Sequence, residues 1–109
     1  MKNEIMINLN TIPARELAPG FSSKLVHGER LTLSVVDIKK DSVLPEHHHM
    51  HEQVTFIVEG ELDMVIGGKK ILLTTGHVYV IPPDVPHSAV AKTDCRVIDV
   101  FSPVREDYK

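Results

Sequence analysis

Hydrophobic and polar residues alternate along several short runs of the chain. In LTLSVVDI, residues 31–38, leucine and valine alternate with threonine and serine. A period of two is typical of a β-strand with one buried and one exposed face, and no run shows helical periodicity over a useful length. The pattern therefore predicts an all-β fold, with further strands at 54–60, 61–68, 77–83 and 95–103.

Turn-forming residues separate these runs. Gly67-Gly68 predicts a two-residue hairpin turn, and Pro103 ends the last run. Only PARELA, residues 13–18, is a candidate for a helical turn, and prolines confine it on both sides. Several short strands at this spacing indicate a sandwich or a small barrel.

Composition limits the class of protein. The 109 residues fit one domain, and 42% hydrophobic with 25% charged residues is ordinary for a globular protein. The net charge of −3 and the absence of a basic run argue against a nucleic-acid partner. Because no apolar stretch has the length of a signal peptide core or a membrane span, we expect a cytoplasmic protein without a membrane partner. The single cysteine, Cys95, is predicted to be a core residue.

The stretch PEHHHMHEQ, residues 45–53, places four of the seven histidines within five positions. A solvated polar loop and a metal site are both compatible with this composition. In a strand, His47 and His49 would share one face, and His48 would point the other way.

The same parity continues to His51 and Gln53, and another ligand must come from elsewhere in the chain. His87, in GHVYVIPPDVPH, follows a turn stiffened by prolines and is the candidate. His51 lies where the chain must turn, which favours a place beside the ligands or in the pocket wall over direct ligation. His27 and His77 are predicted to be surface or turn residues.

These residues resemble the two-part signature of the cupins. The first motif, His-x-His, three or four residues, Glu or Gln, six residues and Gly, is met by His47, His49, Gln53 and Gly60. The second motif is met by Gly76, Pro82 and His87, and it departs from the family pattern at Asp84, where Gly is usual, and at Ala91, where Asn is usual.

The resemblance implies a single-domain double-stranded β-helix, a small jelly-roll-like barrel with a metal inside its open end, often as a homodimer. Residues 31–109 would form the barrel, and 1–30 an N-terminal segment with the first strands and a dimer contact. One divalent transition-metal ion, zinc, nickel, manganese, iron or cobalt, would be held by His47, His49, Gln53 and His87. With Gln53 in place of glutamate the site would carry two positive charges, which favours anionic oxygen donors.

The last run, CRVIDVFSPVREDYK, carries an acidic residue within an apolar strand. Asp99 is costly to bury unless it is paired or works as an acid or base. Arg105 follows six residues later, and its planar fork suits a carboxylate. Two interpretations stay open: a functional Asp99, or a structural salt bridge between Asp99 and Arg105.

The set of ligands and this tail together resemble the pectin-degradation cupins that open cyclic unsaturated uronates. That resemblance implies a small anionic sugar acid as substrate, Asp99 and Arg105 as catalytic residues, and Phe101, Arg105 and His51 as substrate-binding residues. Two other classes remain as alternatives: a dioxygenase similar to the quercetinase type, and a cupin that binds a small molecule without catalysis.

Overall fold

Ten strands and two short 3₁₀ turns make up residues 5–109, the part of the chain that the computed structural model describes. Residues 1–4 of the predicted N-terminal segment lie outside the described residues. The 3₁₀ turns are Leu9–Thr11 and Glu106–Tyr108. The strands are β1 Arg15–Ala18, β2 Phe21–His27, β3 Thr32–Ile38, β4 Val43–His47, β5 Glu52–Glu59, β6 Glu61–Ile66, β7 Lys69–Thr74, β8 Val78–Ile81, β9 His87–Ala91 and β10 Cys95–Ser102.

The strands form two antiparallel sheets. One has six strands in the order β1-β2-β3-β10-β5-β8, and the other has four in the order β4-β9-β6-β7. This arrangement confirms the predicted all-β, single-domain fold. Among residues 5–109, no helix is long and apolar enough to cross a membrane.

PARELA, the one candidate for a helical turn, does not form one. Residues Arg15–Ala18 form β1, which pairs with β2 so that Arg15 lies opposite Ser23. A segment this short between prolines is too short to stabilise a helix, whereas the neighbouring strand supplies partners for its backbone groups.

The core lies between the two sheets. Alternate residues of the strands point inward, as in β5, where Ile57 is fully buried between exposed Phe56 and partly buried Val58. Ile81 and Val97 join the same core, and Cys95 is buried with them, as the sequence predicts. The alternation seen in the sequence is therefore the division between the core and the outer face.

Two strands of the predicted N-terminal segment, β1 and β2, belong to the larger sheet. β2 pairs with β3 over seven consecutive residues, from Phe21 opposite Ile38 to His27 opposite Thr32. Its expected contact with a second copy of the chain remains a prediction.

Two turns of the chain contain glycine residues with positive φ values. Gly67 and Gly68 have φ values of 56° and 80° and join Ile66 directly to Lys69, which confirms the predicted hairpin. Gly60, between β5 and β6, has φ 107°, and a Cβ there would lie 2.5 Å from the carbonyl oxygen of Asp94. Gly60 is therefore required by both its backbone conformation and the close approach of the loop between β9 and β10.

We expect Gly60→Ala to lower the free energy of unfolding by roughly 3 kcal/mol, because it combines an unfavourable positive φ with overpacking. Gly68→Ala is the matched control, since its φ is also positive but a Cβ would meet nothing within 4 Å. That control should cost about 1 kcal/mol. Urea unfolding of both variants measures the difference, and equal losses would contradict the steric argument.

Candidate metal centre

Two strands of the smaller sheet bring His47 and His87 together. His47 ends β4, His87 begins β9, and the two residues are opposite one another in the strand pair. Their ring centroids are 4.3 Å apart. The predicted meeting of the two sequence motifs is thus produced by one pair of antiparallel strands.

His49 reaches this place from a loop. β4 ends at His47 and β5 begins at Glu52, so the alternation of a strand continues to neither His49 nor His51. The chain leaves the four-stranded sheet and enters the six-stranded sheet at this point, and such a crossing requires irregular backbone.

A backbone contact holds the histidine loop against the proline-rich turn. The amide nitrogen of Asp84 donates a hydrogen bond to the carbonyl oxygen of His49 at 2.8 Å. Asp84 has φ 64°, and aspartate is among the residues that tolerate this left-handed conformation. The departure from the cupin motif, aspartate where glycine is usual, is therefore compatible with the required backbone.

The three histidine rings converge. One ligand atom from each of His47, His49 and His87 lies within 4.8 Å of the others, a spacing that could hold a metal ion. Each ring has its Nδ1 next to a carbonyl oxygen two residues away, so that an Nδ1–H can donate and Nε2 is left with its lone pair. The acceptors are Pro45 for His47 at 2.9 Å, His51 for His49 at 3.1 Å and Val85 for His87 at 2.9 Å.

The environment of two of these rings favours the neutral form. Burial, aided by the positive charge of Arg105, lowers the pKa of His49 to about 4, and burial also lowers the pKa of His87. Neutral imidazole is the form that binds metals. Nε2 of His87 is buried and has no hydrogen-bond partner among the described residues, which is costly unless a cation satisfies it.

Gln53 adds an oxygen atom to this group. It is 6% exposed, and its Oε1 lies 3.0 Å from Nε2 of His49. Its amide nitrogen donates to Oγ1 of Thr55 at 2.9 Å and to Oδ1 of Asp99 at 3.3 Å, so the carboxylate determines which end of the amide faces the histidines. With Nδ1 of His49 protonated, Nε2 and Oε1 are both acceptors, and a cation suits the space between them. The residues therefore fit a divalent metal ion.

Asp99 lies at the other end of this hydrogen-bonded chain. Its Oδ1 accepts from Thr55 at 2.7 Å and from Gln53. Burial raises the pKa of Asp99 to about 6, and the two hydrogen bonds oppose that rise. A carboxyl group with such a pKa can both accept and donate a proton near neutral pH.

Of the two interpretations of Asp99, the salt bridge with Arg105 is not formed. The Nε and Nη2 atoms of Arg105 instead donate to the carboxylate of Asp107 at 3.0 and 2.8 Å. Asp107 is two residues away, on the turn that follows Arg105, and its carboxylate meets the guanidinium fork edge to edge. Asp99 is thus left without a direct ionic partner.

One cavity between the sheets contains most of the predicted site. It is lined by His47, Gln53, His87, Asp99, Phe101 and Arg105, together with Thr55 and Tyr108. His51 is not among the lining residues. Its carbonyl oxygen accepts a hydrogen bond from Nδ1 of His49, and its ring centroid lies 6.5 Å from that of Phe101. His48 is exposed and lies apart from the cluster.

The sequence prediction omitted Thr55, Asp107 and Tyr108. Thr55 has the same strand parity as Gln53, which was the available signal. The two C-terminal residues follow Arg105 in a turn whose shape was not evident from hydrophobic alternation. His27 and His77, assigned no chemistry, hydrogen-bond to threonines away from the histidine cluster.

Comparison with known proteins supports the family resemblance. Residues 34–101 match the model of the cupin domain. The chain is 31% identical over 99 residues to the pectin degradation protein KdgF of Dickeya dadantii, covering 88% of this chain and 90% of that protein. Two solved structures are also similar: an RmlC-like cupin from Shewanella frigidimarina, with 30% identity, a TM-score of 0.91 and coverage of 98% and 97%, and KdgF from Halomonas sp., with 31% identity, a TM-score of 0.87 and coverage of 99% and 100%.

We expect protein purified without a histidine tag and loaded with cobalt to retain about one ion per chain. Replacing both His47 and His49 by Ala should abolish retention, because two of the converging nitrogens are lost. His48→Ala is the matched control, since this neighbouring ring is exposed and outside the cluster. Metal analysis after dialysis measures the outcome, and stoichiometric cobalt in the double variant would contradict the site.

Proposed function

The chain belongs to the cupin domain family, and on that premise we propose that it is a metal-dependent enzyme that opens the ring of 4,5-unsaturated uronates. The relation to pectin degradation proteins supports a substrate of this class. The reaction would convert a cyclic, carboxylated enol ether into a linear keto acid, an isomerisation that needs proton transfer and stabilisation of enolate charge.

One observation carries the proposal. Asp99, whose pKa burial raises to about 6, lines the same cavity as His47 and His87, and it is connected to His49 through Gln53. A metal-binding protein that only transports or stores an ion has no need for a buried carboxyl group beside it. An acid or base next to a cationic centre is what ring opening requires.

The proposed ligands are the nitrogen atoms of His47, His49 and His87 and the oxygen atom of Gln53. A divalent ion at these atoms would supply positive charge to stabilise an enolate oxygen of the substrate. Gln53 is neutral, so it would leave the full charge of the ion available for an anionic substrate. The identity of the ion is left open among zinc, nickel, manganese, iron and cobalt.

Asp99 is the proposed general acid and base. Thr55 and Gln53 both donate to its Oδ1, and among residues 5–109 no hydrogen bond is made to its Oδ2. Oδ2 would take the proton of the anomeric hydroxyl while the bond between C1 and the ring oxygen breaks, which leaves a carbonyl at C1 and an enolate on the former ring oxygen and C5. The proton would then be delivered to C4, the other carbon of the double bond, as C5 becomes a ketone. Atoms and charge balance, because one proton leaves the substrate and one is returned.

Arg105 and Phe101 are the proposed substrate contacts. Arg105 presents a nearly buried positive charge to the cavity, suited to the uronate carboxylate. Phe101 offers an apolar ring next to the same space. His51 would act at the rim, beside Phe101, rather than as a ligand.

The test is the loss of ultraviolet absorbance of a 4,5-unsaturated uronate, measured with and without a chelator. We expect Asp99→Asn to lower kcat by roughly 10²–10⁴ while metal content and melting temperature stay close to wild type, because the shape is kept and the exchangeable proton is lost. Asp37→Asn is the matched control, since Asp37 is exposed and pairs with Arg96 outside the cavity.

Full activity in Asp99→Asn would remove Asp99 from the mechanism. If wild-type protein holding its metal left the absorbance unchanged, the proposed substrate would be wrong. Oxygen uptake measured in the same cuvette separates the dioxygenase alternative, because ring opening consumes no oxygen.

A further inference from the structure

We propose that Asp107 and Tyr108 are positioning residues that hold the guanidinium of Arg105 in the orientation needed to bind the substrate carboxylate. This inference rests on the proposed function and deepens it. We call Arg105, Asp107, Tyr108 and Phe101 the arginine clamp. Its members lie on β10 and on the turn that follows, and all but Asp107 line the cavity.

Aromatic rings fix the faces of the guanidinium. The Cζ atom of Arg105 lies 3.9 Å from the ring centroid of Tyr108 and 4.7 Å from that of Phe101. The two rings are nearly perpendicular, with an interplanar angle of 86°. A guanidinium in contact with both rings cannot rotate freely about its last side-chain bonds, and each contact also attracts its charge.

Asp107 fixes one edge of the guanidinium. The bidentate contact through Nε and Nη2 is made by an arginine side chain that is 7% exposed and an aspartate that is 58% exposed. The carboxylate therefore lies on the solvent side, and the opposite edge, which carries Nη1, is left for a ligand. This is a geometric constraint as well as an attraction, because the planar fork allows only one arrangement with a bidentate partner.

The backbone around the clamp is also held. The amide of Arg105 donates to Oγ1 of Thr32 at 2.9 Å, and Thr32 is fully buried in β3. The carbonyl oxygen of Tyr108 accepts from Nη1 of Arg15 at 2.8 Å, which ties the C-terminal turn to β1. Side chain and main chain of Arg105 are thus both fixed before a ligand arrives, which lowers the entropy lost on binding.

The arginine clamp explains how Arg105 can bind an anion although it already pairs with the carboxylate of Asp107. Asp107 is exposed, so solvent screens its charge, whereas the cavity side of Arg105 is shielded from water. Asp99, whose carboxyl group does line the cavity, makes no ion pair with Arg105. A carboxylate entering the cavity would therefore find a cation with a fixed free edge.

The experiment compares Asp107→Asn and Tyr108→Leu with wild type in uronate turnover. We expect KM to rise about tenfold in each while kcat changes by less than about twofold, since a loosened arginine weakens carboxylate binding more than proton transfer. Glu106→Gln is the control for charge, as this exposed neighbour pairs with Lys109 and not with Arg105.

A second readout does not depend on turnover. In nitrogen-proton correlation spectra, the Nε–H signal of Arg105 should be sharp and slow to exchange in wild type and in Glu106→Gln, and should broaden in Asp107→Asn. An unchanged KM and an unchanged Nε–H signal in Asp107→Asn would overturn the proposal. A lower KM in that variant would also overturn it, because Asp107 would then be a competitor of the substrate.

Failure of the proposed function is distinguishable from failure of the clamp. If wild type does not turn over the unsaturated uronate, galacturonate serves as a probe of carboxylate binding, followed by the shift of the Arg105 Nε–H signal. Weaker galacturonate binding in Asp107→Asn than in Glu106→Gln would still support the clamp. Equal binding in the two variants would overturn it.

Discussion

The site depends on the contact between each histidine Nδ1 and a backbone carbonyl oxygen two residues away. With each Nδ1–H donating to its carbonyl, the rings of His47, His49 and His87 are held in place and their Nε2 lone pairs are left for a cation. Each carbonyl is positioned by a different local structure: the end of β4, the loop before β5 and the proline turn before β9. The barrel is needed to hold these three structures in one place.

Hydrogen bonds connect the histidine cluster to Asp99, the proposed acid and base. Thr55 donates to Asp99 and accepts from Gln53, while Gln53 turns its oxygen to His49. All three side chains sit on the inner side of neighbouring strands β5 and β10, where Asp99 is opposite Thr55. A change in any one of them should therefore be felt by the others, and single substitutions here will not give additive effects.

The sequence predicted the strands and the histidine set because both leave periodic signals. Alternation located β3, β5, β6, β8 and β10 but not β1, β2, β4 or β9. Two adjacent glycines located a hairpin, and residue spacing together with the cupin resemblance singled out His47, His49, Gln53 and His87. Contacts that depend on the path of an irregular segment could not be predicted in the same way. Arg105 illustrates this: its spacing allowed a pair with Asp99, and only the turn after Pro103 directs it to Asp107.

The central claim is that the histidines and Gln53 together form a metal centre. X-ray absorption at the zinc edge of zinc-loaded protein tests it most directly, because it counts and identifies the atoms bound to the ion. The account predicts three imidazole nitrogens and at least one oxygen at about 2.0–2.1 Å, and no sulfur. A shell with fewer than three imidazoles, or one that contains the sulfur of Cys95, would contradict it.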